Sequence, residues 1–186
     1  MNRRQFLMTG AAAVLSANTG SYSSVADRIC MFTDHLGGFD YTDVARMFQG
    51  LGIPGPDLTV RPGGLVKPER VEQDLPKAAA IFKEHGLTIP MITTGITSVN
   101  DPATRPVLAT AVKVGVRFYK LGYYSYKDMN EWRATREATR KDVAGLVDLG
   151  RRLGIRAGFH NHSGPFVGGT VWDALEIVQE LDPQWI

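Results

Sequence analysis

Apolar runs of strand length alternate with helical patterns five times along this chain, and that alternation limits its fold more than any other feature. Residues 29–36 read as a first strand and 41–51 as its helix. Residues 55–61 form the second strand and 68–85 a helix, with Val71, Leu75, Ala78, Ala79 and Phe82 recurring at spacings of three and four. A third strand spans 87–93. Its helix, capped by Asn100 or Asp101 with Pro102 near the first turn, runs to Val114. A fourth strand (116–121) precedes a long helix over 129–153, and a fifth (155–161) precedes a helix over 170–181. Trp185 and Ile186 read as the first step of a sixth strand. Gly52, Gly86, Gly115 and Gly154 stand where four of these helices end, which suits a left-handed cap before the next strand.

Strands alternating with helices at a period of about 30 residues predict a parallel sheet. Two architectures fit. A (β/α)8 TIM barrel needs eight units and about 250 residues, so this chain would carry about five of the eight. A doubly wound five-stranded sheet binding a nucleotide or flavin would be complete at this length. The barrel is the preferred reading. No glycine-rich phosphate loop follows the first strand, and polar residues end all five strands, as a barrel's active face requires. The order of strands in space decides between them.

The N-terminus carries a separate signal. Arg3 and Arg4 precede a short apolar stretch over 8–17, and Ser24-Val25-Ala26 follows. The stretch is shorter than the roughly 20 residues that span a bilayer. The pattern predicts a twin-arginine signal peptide over 1–26, cleaved after Ala26, and one domain over 27–186. The expected partners are then the twin-arginine export machinery and, after cleavage, no membrane; the expected location is periplasmic or extracellular. Arg3 and Arg4 account for the whole formal net charge of +2, so residues 27–186 are formally neutral. A neutral domain gives no electrostatic case for nucleic acid. The single cysteine, Cys30, excludes an intramolecular disulfide. No Gly-x-Ser-x-Gly supports a serine hydrolase.

The strand ends supply the candidate site. His160 and His162 lie two apart and share a face if both lie on the fifth strand. Imidazoles there can bind a metal or move protons near neutral pH. Lys120 is in phase with Phe118 and Gly122, and an inward amine can hold a substrate oxygen or polarise a carbonyl. Tyr119 and Leu121 would face inward in the opposite phase. Asp57, Thr59 and Arg61 alternate along the second strand, and Arg61 can clamp hydroxyls or pair with an acid. His35 and Thr93 end strands one and three, where each can hydrogen-bond a polyol. Tyr123 opens an aromatic loop with Tyr124 and Tyr126. His160 and Lys120 are the catalytic candidates; His35, Arg61, Thr93, Tyr123 and His162 are the substrate-binding ones.

Several runs carry a resemblance: Met31-Phe32-Thr33-Asp34-His35-Leu36, Pro56 to Gly64, Pro68-Glu69-Arg70-Val71, Pro90-Met91-Ile92-Thr93-Thr94 and Phe159-His160-Asn161-His162. In this order they resemble exported members of the xylose isomerase-like TIM barrel superfamily, usually described as sugar phosphate isomerases or epimerases. The resemblance implies proton transfer beside the carbonyl of a sugar or polyol. It also implies a divalent metal (Mn, Mg, Co or Zn) at the barrel mouth, held by carboxylates and histidines of strands 5 to 8. His160 is the expected ligand within this chain; many relatives place a glutamate there. Five units alone leave two open sheet edges, so oligomers are compatible and this piece by itself is expected to be inactive. The rival function is a non-catalytic, periplasmic carbohydrate-binding barrel.

Overall fold

The structure, a computed structural model, describes residues 29–186, so the signal peptide expected over 1–26 lies outside the described residues. Five strands form one sheet: β1 (Met31–Phe32), β2 (Pro56–Val60), β3 (Met91–Thr94), β4 (Phe118–Lys120) and β5 (Arg156–Gly158). Their spatial order is β1-β2-β3-β4-β5, with every pairing parallel. Sequential neighbours of one hand are what a barrel wall requires. A doubly wound sheet would place β1 between β2 and β3, so that alternative is excluded.

The helices are α1 (Tyr41–Leu51), α2 (Val71–Glu84), α3 (Thr104–Lys113), α4 (Trp132–Leu153) and α5 (Val171–Val178). Gly52, Gly86, Gly115 and Gly154 all adopt positive φ, between 67° and 90°, as the sequence predicts for these turns. Asp40 caps α1 by accepting from the Asp43 amide at 2.9 Å, and Thr170 caps α5 by accepting from Asp173. Arg136 of α4 pairs with Asp173 and Glu176 of α5, and Arg140 pairs with Glu180 just beyond it. None of the described helices is long and apolar enough to cross a membrane.

Register sorts the strand residues into three rows. Leu58, Ile92, Tyr119 and Ala157 are paired across β2 to β5 and form the outer row. They are 0–5% exposed and pack with Phe48, Leu75, Phe82, Leu108 and Leu146 of the helices. Tyr119 thus faces the helices, and its hydroxyl donates to the Leu146 carbonyl at 3.2 Å. Fully buried large apolar side chains each contribute about 1.5–3 kcal/mol, so this layer holds the fold.

The alternate residues face the other way. Thr59, Thr93, Lys120 and Gly158 form one inner row, and Phe32, Asp57, Met91, Phe118 and Arg156 form the row beneath it. The lower row is open: Phe32 is 37% and Phe118 45% exposed. At the far edge, the Ala157 amide donates to the Trp185 carbonyl at 2.9 Å. That bond is the rung expected if residues 185–186 begin to line up beside β5.

All five strands are shorter than the sequence predicts, and the first, third and fifth are so for local reasons. The predicted first strand ends at Phe32; residues 34–36 turn into a short 3-10 helix, and Thr33 bonds through its side chain, its hydroxyl accepting from the Thr59 amide at 3.0 Å. β3 starts at Met91 because Pro90 has no amide to donate. β5 stops at Gly158. The Leu121 amide donates the last bond of this ladder, to the Gly158 carbonyl; among the described residues no ladder bond joins the two segments beyond it. His160 and His162 therefore lie beyond the strand, and the period-two argument for their shared face does not apply.

Candidate functional site

The C-terminal ends of β2 to β5 bring a small set of polar groups onto the inner face. Asp57 lies under this set. Its Oδ2 accepts a hydrogen bond from the Thr93 hydroxyl at 2.9 Å. Its Oδ1 is buried without a partner among the described residues. Burial pushes the Asp57 carboxyl above its ordinary range, against the opposing pull of the Thr93 hydrogen bond and of Lys120, His160 and Arg61. Asp57 is absent from the sequence-derived candidates. The signal for it was present: it shares the β2 alternation with Thr59 and Arg61.

Lys120 sits in the inner row between Thr93 and Gly158, and only 8% of it is exposed. Its Nζ donates to the Leu121 carbonyl at 3.0 Å and lies 3.7 Å from the centre of the Tyr123 ring. Burial and the nearby Arg61 charge push the amine down to about 8, while Asp57 pulls the other way. Gly158 beside it leaves space. A Cβ there would meet only the Tyr119 oxygen at 3.5 Å and the Lys120 Cα at 4.0 Å.

Tyr123 links Lys120 to the histidines. Its hydroxyl is 3.4 Å from His160 Nδ1. Its ring meets His162 edge-on at 4.9 Å and Phe166 at 5.2 Å. Tyr123 reaches this place because Gly122 lets the chain pass Gly95: a Cβ on Gly122 would lie 2.5 Å from the Gly95 oxygen. His160 is exposed as a residue. Partial burial of its ring, then Lys120 and His162, still hold it below the ordinary histidine value. His162 is exposed and engages the Ser163 carbonyl through Nδ1 at 2.7 Å.

Two sequence candidates stand apart from this group. The Arg61 guanidinium donates to Asp34 at 2.5 Å and lies 5.8 Å from the Phe32 ring centre. Its charge reaches Lys120, but one face of its fork is occupied by an acid the sequence reading did not name. His35 is exposed in the 3-10 turn after β1, edge-on to Phe32 at 6.3 Å. The structure brings Thr93, Lys120, Tyr123, His160 and His162 together, and leaves Arg61 and His35 at the β1 side.

The donor set does not fit a metal by itself. Among the described residues, no three His, Cys, Asp or Glu side chains converge as ligands. His160 is the sole sequence-derived ligand candidate. A groove of about 500 Å3 lies elsewhere, lined by Pro68, Val71, Pro102, Pro106 and Val107 between α2 and α3. It contains none of the inner-face residues.

No family model and no curated protein matches the chain. Solved structures do. A xylose isomerase-like TIM barrel protein from Mycobacterium smegmatis, in complex with magnesium, superposes with a TM-score of 0.64 at 15% identity, over 82% of this chain and 60% of that one. The "probable 3-DHS dehydratase AsbF" involved in petrobactin synthesis, from Bacillus anthracis, gives 0.60 at 14% identity, over 83% of this chain and 59% of that one. The chain thus spans about 60% of the length of these structures. At such identities the likeness concerns the fold: the five units superpose on part of a TIM barrel wall.

Proposed function

We propose that the chain belongs to an enzyme that moves a proton beside the carbonyl of a sugar or polyol, as an isomerase or epimerase does. The observation that carries this reading is the inner-face group of Lys120, Tyr123, His160, Thr93 and Asp57 at the C-terminal strand ends, where barrel enzymes place their chemistry. Lys120 is the group to engage the substrate carbonyl. His160, held below the ordinary histidine value, is the base, and the Tyr123 hydroxyl beside it can relay the proton. The likeness to structures that include a dehydratase supports an enzymatic role. A divalent metal would need ligands besides His160, so the side chains alone are assigned the proton transfer.

Export by the twin-arginine route would place the protein in the periplasm or outside the cell. Unphosphorylated sugars are then the better substrates, because sugar phosphates are mainly cytoplasmic. The test is deuterium wash-in from D2O into a panel of free aldoses and ketoses, catalysed by the full-length gene product and followed by NMR. The expected result is exchange at the carbon next to the carbonyl, reduced at least about tenfold in His160→Gln, as loss of a general base implies. No wash-in for any sugar sinks the catalytic reading. Sugar binding in calorimetry without exchange would favour the carbohydrate-binding alternative, to which the Tyr123, His162 and Phe166 rings would contribute stacking surfaces.

A further inference from the structure

Lys67, Lys77, Lys83, Lys113, Lys127 and Lys141 are all exposed, whereas Lys120 is buried. A buried lysine normally has an ionic partner. Lys120 has none within ion-pair distance among the described residues. Its hydrogen bond goes to the carbonyl of its own chain neighbour, and an aromatic face covers Nζ. Such a lysine adds little to stability. Its surroundings are those that make an amine nucleophilic: apolar cover and a neighbouring cation.

We propose that Lys120 forms an imine with the carbonyl carbon of a small hydroxy-aldehyde or hydroxy-ketone such as an open-chain sugar. The Nζ lone pair attacks the carbonyl carbon, and the C=O π pair moves to oxygen. Transfer of one amine proton to that oxygen gives a carbinolamine. A second proton, from an acid, lets the hydroxyl leave as water while the nitrogen lone pair closes the C=N bond. The products are a protonated imine and water. The Tyr123 ring centre lies 3.7 Å from Nζ, so its hydroxyl is a near acid for that step. The open face over Gly158 gives the carbonyl its approach. The iminium then acidifies the adjacent C–H, which is the proton the proposed enzyme moves.

The charged and titratable groups facing the amine are Arg61 from β2, Asp57 from β2 and His160 beyond β5, with Tyr123 covering it. Arg61 disfavours the ammonium and Asp57 favours it; the ammonium in turn disfavours a charged His160. An amine titrating near 8 is about half neutral at pH 8, whereas an exposed lysine near 10.4 is less than about 1% neutral.

The inference rests on a carbonyl compound entering this face, and its test does not require turnover. The full chain is incubated at pH 8 with dihydroxyacetone and sodium cyanoborohydride, which reduces an imine to a stable secondary amine. Peptide mass spectrometry then locates the adduct. Lys120 is expected to be labelled at least about tenfold faster than any exposed lysine, given its larger neutral fraction. Lys120→Arg, which keeps the cation, should lose that adduct while the circular dichroism spectrum stays unchanged. The wild-type map decides the matter even if the variant does not fold. Labelling of exposed lysines alone, or of Lys120 no faster than those, overturns the proposal. Deuterium wash-in with Lys120 unlabelled would overturn the imine and leave the proton-transfer reading intact; a labelled Lys120 without wash-in would do the reverse.

Discussion

Lys120 and Asp57 each carry a cost that the fold bears at neutral pH. For Lys120 the folded-state pKa, about 8, lies below the unfolded value of 10.5. Between those values the unfolded chain binds more protons, so this residue makes stability rise with pH from about 8 towards 10.5 and leaves a penalty below that window. Lys120→Met removes the charge and keeps an apolar stem. It should raise stability at pH 7 by about 1–3 kcal/mol, within the range seen when buried charges become hydrophobic. The melting temperature would then rise by about 2–4 °C per kcal/mol, and the gain should shrink above pH 10. A lower melting temperature at pH 7 would mean that the ammonium is a structural anchor. Asp57 acts on the same amine with the opposite sign, since its negative charge raises the Lys120 pKa. Asp57→Asn should therefore move the pH midpoint of Lys120 labelling below that of wild type. A midpoint that stays or rises would show that the two groups are not coupled.

At the scale of elements, the helices were legible because their evidence is local. Apolar spacing along 71–82 and a glycine at the end of four of the five helices say where a helix lies without knowledge of its neighbours. Strand ends depend on who pairs with whom. Composition carried the fifth strand on to Asn161, yet the ladder ends at Gly158, which accepts its last bond from Leu121. The site was half legible for the same reason. Lys120 follows from its phase with Gly122, but Asp34 as the partner of Arg61, and Thr93 as the partner of Asp57, depend on contacts between strands. Gly122 joins element to site and gives a sharp test. Gly122→Ala places a Cβ against the Gly95 backbone, which is not free to move as a side chain would be. It should cost about 1–3 kcal/mol and displace Tyr123. A melting temperature within a degree of wild type, with Lys120 labelling unchanged, would show that the Gly95 loop yields freely.

For the whole molecule, the sheet has two faces of unequal fate. The outer row is sealed by five helices, whereas the inner lower row shows Phe32 and Phe118 to solvent at 37% and 45%. Among the described residues β1 and β5 each have one strand neighbour; the β1 edge presents backbone donors and acceptors, while at the β5 edge the Ala157 amide is taken by Trp185. Apolar surface beside open edges favours pairing with another chain. This chain is therefore expected to self-associate in the micromolar range and to bind a hydrophobic dye such as ANS. Phe118→Gln and Phe32→Gln together should reduce both effects. Their cost to stability should stay within about 1 kcal/mol, because partly exposed side chains contribute little to the core. Sedimentation velocity against concentration separates the outcomes. A wild-type chain that stays monomeric across that range and leaves the dye dark would mean that the inner face is covered in solution, and the same variants should then lower the melting temperature by several degrees.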